Sequence, residues 1–353
     1  MVPNGWRTLP LEAVVRLKRG FDLPTSKRVN GDVPVVGSAG ITGWHNEVMV
    51  KGPGVVVGRA GAMGVATYVA QDFWPLNTSL FVEDFRGNDP RFIYSLLHCL
   101  DFSGYNSGAA QPMLNRNYIK AIRVVLPDRL EQRAIAEVLG ALDDKIAVNE
   151  QMAETEISLG RALLGEQLQG MTSEVPLGEV ADLVYGKALP APQRRNGVTP
   201  VFGCTGQVGW HDMPLTTTGC PVVGRKGANA GHVSWMSKPG WVIDTAFYAK
   251  PVNSVITNEA LYFLLDSASI DALTADSAVP GVNRNVALRH RILIPELDAL
   301  RRFGDRAREL LTASVQAETE SRTLAELRDT LLPKLVSGQI RIKDAERAVE
   351  EVV

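Results

Sequence analysis

The chain spells out one module twice, and this duplication limits its fold more than any other feature. Pro10-Leu11 returns as Pro176-Leu177 and Gly20 as Gly186. The run Pro34-Val35-Val36-Gly37 through Gly43-Trp44-His45 returns as Pro200-Val201-Phe202-Gly203 through Gly209-Trp210-His211, all at one offset of 166 residues. After small insertions Gly58-Arg59-Ala60-Gly61 still matches Gly224-Arg225-Lys226-Gly227. Trp74 matches Trp241, Asn77-Thr78 matches Asp244-Thr245, and Asn115-Arg116-Asn117 matches Asn283-Arg284-Asn285. Such a period is far too long for a solenoid or propeller, so each copy is expected to be a domain, and the pair to have pseudo-twofold symmetry.

At 353 residues, 45% of them hydrophobic, the chain can bury two ordinary cores. Cys99, Cys204 and Cys220 are too few and too scattered for a disulfide framework or a paired-cysteine metal site, which points to a reducing cytoplasm. No apolar run approaches a membrane span, and Met1-Val2-Pro3-Asn4-Gly5-Trp6 lacks a secretory pattern.

The net charge of −2 hides an uneven distribution. Residues 16–60 carry seven Lys/Arg against three Asp/Glu, and 182–226 carry five against two. Residues 128–169 hold four basic and nine acidic side chains. The basic charge falls in the globular halves, where it would either meet a polyanion or form solvated surface.

Each half opens with Gly, Pro, Asn and Thr interleaved with short β-branched runs such as Val33-Pro34-Val35-Val36, Gly54-Val55-Val56-Val57 and Val222-Val223, the pattern of short strands joined by turns. A brief helix is predicted at Pro90 to Leu100 and again at Asn258 to Asp266. Its shared Tyr-x-Leu-Leu face (Tyr94, Leu96, Leu97; Tyr262, Leu264, Leu265) suits a core. Each half closes on an apolar strand ending at Pro127 or Pro295. The period then changes to three and four. Ile135, Leu139, Leu142, Ile146, Asn149, Ala153, Ile157, Leu164 and Leu168 share one stripe; Phe303, Leu310, Ser314, Ala317, Leu324, Leu327, Leu331 and Leu335 share another.

A helix from near Arg129 to Gln169 would reach roughly 60 Å, longer than one half needs for its own core. Its natural partner is the second helix, near Glu296 to Val336, packed antiparallel, with Asn149 and Ser314 as polar seam residues that either fix register or lie exposed. The fold expected is α+β: two similar globular domains separated by two long coiled-coil-like helices, with the domains held apart as if by a ruler. The boundaries are 1–128, 129–170, 171–295, 296–340 and a C-terminal tail of 341–353.

Catalytic signatures are absent: there is no HExxH, no GxxxxGK loop and no Pro-Pro dipeptide. His45 and His211 recur without a ligand partner at metal spacing. Asp143-Asp144-Lys145 resembles a nuclease fragment, yet it lies inside a helical stripe and does not recur; a solvated helix face explains it better. The glycine-rich turns Gly58 to Gly64 and Gly224 to Gly231 are the best functional candidates. Their glycines permit close backbone approach, and Arg59 and Arg225 suit phosphate or a guanine edge. The alternative is a structural hairpin carrying an exposed arginine. The arginine recurs while its neighbours vary, Met63 against Asn229. The Asn-Arg-Asn pair is either part of the same surface or a cap before the closing strand.

These residues resemble the specificity subunit of type I restriction-modification systems, over nearly the whole chain. The most specific pieces are Leu126-Pro127 with Leu130-Glu131-Gln132-Arg133-Ala134-Ile135-Ala136, and Leu327-Arg328-Asp329-Thr330-Leu331-Leu332-Pro333-Lys334-Leu335-Val336-Ser337-Gly338-Gln339-Ile340. Gly58-xx-Gly61, Phe73-Trp74 and Asn77-Thr78 fit the family's recognition-domain pattern. The second helix begins Leu297-Asp298-Ala299-Leu300, without the Glu-Gln of the first.

The resemblance implies two target recognition domains, each reading one half of a split, asymmetric double-stranded DNA target, and spacer helices that dock two methyltransferase subunits for adenine methylation. It implies a non-catalytic chain. S-adenosylmethionine, ATP and magnesium would sit on methyltransferase and restriction-motor partners. DNA-contacting candidates are Lys18, Arg19, Lys27, Arg28, His45, Arg59, Met63 and Arg116 in the first copy. In the second they are Lys187, Arg194, Arg195, His211, Arg225, Lys226, Asn229 and Arg284. Rival readings are a stand-alone methyltransferase or nuclease with duplicated recognition domains, and a duplicated carbohydrate- or peptide-binding module on a helical stalk.

Overall fold

The computed structural model describes residues 3–106, 113–171, 173–274 and 280–352. The chain divides into two compact units, one of residues 1–147 with 321–353 and the other of residues 148–320.

The first unit contains a four-stranded antiparallel sheet in the order Arg16–Arg19, Ser79–Asp84, Gly54–Gly58, Ala66–Val69. A three-stranded sheet follows the order Gly40–His45, Val33–Gly37, Trp74–Pro75, its last pairing parallel. Arg7–Pro10 pairs with the closing strand Arg123–Leu126. In the second unit the same orders recur: Ala181–Tyr185, Ala246–Pro251, Cys220–Gly224, Val233–Met236 in one sheet and Gly206–His211, Thr199–Gly203, Trp241–Val242 in the other. Glu174–Pro176 pairs there with Arg291–Leu293. Even the register shift recurs, at Val35/Val36 and at Val201/Phe202. The strands Val33–Gly37, Gly54–Gly58, Thr199–Gly203 and Cys220–Gly224 are buried along their whole length, which is why they read as continuous apolar runs without alternation.

A ten-residue helix packs beneath each four-stranded sheet. Pro90–Cys99 starts where the Asp89 side chain accepts the Phe92 amide, with proline in the first turn. Asn258–Ser267 starts where Thr257 accepts the Ala260 amide. Both are standard N-caps, satisfying an amide the helix itself leaves unpaired. Leu96, Leu97, Tyr262, Leu264 and Leu265 are buried, as their shared face predicts.

The long helices run Arg129–Leu168 and Leu297–Val336. In the first unit Arg328 pairs with Asp143 at 2.8 Å and Ser321 donates to the Ile146 carbonyl at 3.4 Å, so later residues of one helix meet earlier ones of the other and the segments are antiparallel. Ile135, Leu139, Leu142 and Ile146 share a core there with Leu324, Leu331 and Leu335. In the second unit Asn149 donates to Glu320 at 2.9 Å, while Leu164 lies in one core with Leu300, Phe303 and Ala307. Asn149 and Ser314 are both buried on their stripes, and the Asn149 amide is spent on Glu320, a contact that fixes register.

Asp144 and Lys145 are exposed, as a solvated face predicts, and Asp143 is half-buried. Asp143 meets Arg328, and Asp144 takes a two-pronged contact from Arg91 at 3.0 and 3.2 Å. Residues 342–350 of the tail form a helix whose Ala345 is fully buried in the first unit's core.

Candidate nucleic-acid interface

The two glycine-rich turns are built alike. The amides of Arg59 and Ala60 both donate to the Thr78 carbonyl, and those of Arg225 and Lys226 to Thr245. Each loop closes on itself, Gly64 N–H to Gly58 O and Gly231 N–H to Gly224 O, both at 2.8 Å. Gly61 and Gly64 (φ +82° and +84°), and Gly227 and Gly231 (+111° and +89°), adopt left-handed backbone that a side chain would strain. The arginine carbonyl then accepts the incoming chain, from Leu114 in the first unit and Val282 in the second. The turns therefore aim Arg59 and Arg225 the same way relative to their sheets.

What those arginines meet differs. Arg59 opens onto a cleft of about 670 Å³ lined also by Lys18, Arg19, Asp22, Asn77 and Arg116. Among the described residues its Nη2 meets the Met113 sulfur, at 3.1 Å. Burial, followed by the positive charge of Arg19, holds the Arg59 guanidinium below its ordinary pKa. Lys18 is paired with Glu83 at 2.8 Å, and Asp22 accepts from Asn77 at 2.7 Å. Arg19 touches one backbone carbonyl, that of Asn77, at 3.3 Å. Arg116 is exposed, close enough to Glu83 to help hold that carboxyl below the usual range, after Lys18 and Arg16.

In the second unit the equivalent of Arg19 is Tyr185, each paired across the sheet with matching residues, Leu80 and Phe247. Arg225 lies over the Tyr185 ring at 4.8 Å, and its Nη1 donates to the Asp244 carbonyl at 3.1 Å. Arg284, the counterpart of Arg116, is clasped by the Asp182 carboxylate and the Leu183 carbonyl. Sequence reasoning missed Tyr185 and Asp182. The signal was present, since Asp182 and Tyr185 stand where the first copy has Arg16 and Arg19.

Several candidates turn inward. His45 and His211 are each 4% exposed, accept the Val29 and Arg195 amides on Nδ1 at 3.1 Å, and lie edge-on to Trp74 and Trp241. They lock the hairpin, so as DNA contacts they are withdrawn. Arg28 and Arg194, half-buried, donate to the Thr42 and Val208 carbonyls at 2.9 and 2.6 Å. A Cβ on Gly43 or Gly209 would fall 2.7–2.8 Å from those guanidinium groups, and this explains the recurring glycine. Met63, half-buried, packs against the first unit's core. Arg195 is paired with Asp212 at 2.6 Å. Lys27, Lys187, Lys226 and Asn229 are exposed. Asn115 and Asn283 cap the short helices that follow, each accepting the amide two residues on, while Asn115 and Arg116 also line the first unit's cleft.

Among the described residues no cluster of three His, Cys, Asp or Glu could hold a metal ion, and no helix is long and apolar enough to cross a membrane.

Fold and cleft together define a class: a duplicated mixed α+β module carried on a pair of long antiparallel helices. Residues 3–157 match the family model of the type I restriction modification DNA specificity domain. No curated protein sequence matches significantly. Among solved structures the chain is similar to a type I restriction-modification system S subunit from M. genitalium, at 18% identity and a TM-score of 0.69, covering 95% of this chain and 96% of that one. It is also similar to a chain from work on complex assembly and conformational transition of the type I R-M system (16% identity, TM-score 0.41, 96% and 100% covered). A third relative is the HsdS subunit from Thermoanaerobacter tengcongensis (16%, 0.35, 96% and 98%).

Proposed function

We propose that the chain is the DNA-reading subunit of a type I restriction-modification complex in the cytoplasm. Each copy reads one half of a split, asymmetric double-stranded target, with residues 1–128 and 171–295 as the readers. The helical segments 129–170 and 296–340 set the half-site spacing and dock two methyltransferase subunits, to which restriction-motor subunits are added. The observation that carries this reading is the repetition of one sheet-and-turn architecture, its first copy matched by the DNA specificity domain model. Phosphate contacts would position the complex and base-edge contacts would specify the site. The target adenine would be rotated out of the stack into a partner's pocket, where S-adenosylmethionine supplies the methyl group. ATP and magnesium likewise belong to the partners.

Reconstitution tests the reading. The purified chain with labelled S-adenosylmethionine and DNA is expected to show no methyl transfer until its cognate methyltransferase subunit is added, whereupon mapped adenines fall in a two-part site. Exchanging residues 1–127 for another recognition domain should change one half-site. Insertion within 129–169 should change only the spacing. Turnover by this chain alone overturns the proposal in favour of an enzyme.

A further inference from the structure

The two copies present the same turn with opposite electrostatic outcomes, and the difference lies in four positions. The edge strand of the first unit carries Arg16 and Arg19 where that of the second carries Asp182 and Tyr185. The acid of the second unit consumes Arg284, and its ring lies beneath Arg225. In the first unit, among the described residues, neither the acid nor the ring has a counterpart, since Arg16 and Arg19 stand in their places. Arg19, Arg59 and Arg116 line one open cleft; Asp22, the acid that lines it with them, accepts from Asn77, and Glu83 nearby is paired with Lys18 and Arg16.

Like charges held together around a cavity repel one another, and an anion between them removes that cost. We infer that the first unit holds an anion site for a DNA phosphodiester, formed by Arg19, Arg59 and Arg116, and that the second unit has cancelled its own copy of that site from within. The inference rests on the proposed DNA reading and goes beyond it. The two halves grip unequally: the first supplies the salt-sensitive anchor, and the second contributes through its exposed Lys187, Lys226 and Asn229. Arg59 and Arg225, equivalent in sequence, then differ in role.

Each cation that neutralises a phosphate releases counterions, so its loss lowers the slope of log affinity against log salt by about one. The measurement is fluorescence anisotropy of the full chain with a labelled duplex of random sequence over a salt series, with circular dichroism as a control for folding. Arg59→Gln and Arg116→Gln should each lower the slope by about one, while Arg225→Gln and Arg284→Gln leave it unchanged. Asp182→Asn, which releases Arg284, should raise it by about one, a gain that misfolding cannot mimic. Equal losses from both units, or no loss from Arg59→Gln and Arg116→Gln, overturn the inference. Heparin retention separates the two levels of argument. A wild-type chain that ignores DNA defeats the proposed function. If heparin retention then falls only in Arg59→Gln and Arg116→Gln, the anion site stands with another polyanion as its ligand; otherwise the site falls too.

Discussion

Gln132 and Leu300 occupy the same place at the start of the two long helices, and both are buried, at 1% and 0% exposure. Gln132 is fully hydrogen-bonded. Its Nε2 donates to Asn88 Oδ1 at 3.0 Å and to the Pro127 carbonyl at 3.1 Å, and its Oε1 accepts the Asp89 amide at 3.0 Å. In the second copy the counterpart of Asn88 is Ile256, buried in one core cluster with Leu300. A polar pair has been exchanged for an apolar pair, both members together. That joint exchange explains why the Glu-Gln of the first helix need not recur: half of it is a local tie between helix and globule. Glu131 is likewise engaged at home, accepting the Trp6 indole N–H at 2.8 Å.

The short helices show a second exchange of this kind. Phe92 and Ser95 of the first copy correspond to Ala260 and Phe263 of the second, so the large ring moves along by one helical turn. Phe263 fits because Gly160 of the long helix leaves it room, a Cβ there falling 2.2 Å from the ring, and because Phe303 meets it edge-on at 5.6 Å.

The strongest way to break the comparison is to empty these ring sites. Phe92→Ala and Phe263→Ala are each expected to cost about 3–5 kcal/mol, read by urea denaturation. Restoring the other copy's arrangement in the first unit, with Ser95→Phe added to Phe92→Ala, should recover little, because Arg328 stands where the second copy has Gly160. A substantial recovery would mean that the ring position is interchangeable.

A middle-sized effect is expected at Gln132. Gln132→Leu strands buried partners and should cost about 1–3 kcal/mol, whereas adding Asn88→Ile should return most of that loss. Additive losses in the double variant would refute the idea of a paired exchange.

The smallest effect concerns alkali. Burial pushes the Cys220 thiol and the Tyr262 phenol each up to about 12, from ordinary values of 9.0 and 10.0. Both hold their protons in the folded state, so the stability they lend is complete below pH 9 and is lost as pH rises toward 12. Gly54 stands where the second copy has Cys220, so the thiol's share belongs to the second unit. Cys220→Ala should flatten the fall in stability across that window, followed by circular dichroism. An unchanged slope would remove the thiol from the account.

Backbone-level features were legible in the sequence because they are written in residues with backbone consequences. The repeated Gly, Pro and Trp positions mark turns and buried strands, and the change of period after Pro127 and Pro295 marks helices observed as Arg129–Leu168 and Leu297–Val336. The candidate site was legible only as a turn. Whether an arginine is available depends on groups away from it in sequence, such as the Asp182 carboxylate for Arg284, 102 residues apart, or the Thr42 carbonyl for Arg28. Local composition cannot separate a guanidinium folded onto its own backbone from one left facing a cleft. His45 and His211 misled for the same reason, since their recurrence recorded a shared hairpin lock.

The division of the chain between its units also sets an order of events during synthesis. The second unit is one uninterrupted stretch, 148–320, whereas the first needs residues from both 1–147 and 321–353. A nascent chain can therefore complete the later half before the earlier one. Until residues 324–345 leave the ribosome, the hydrophobic face that receives Leu324, Leu331, Leu335 and Ala345 waits uncovered.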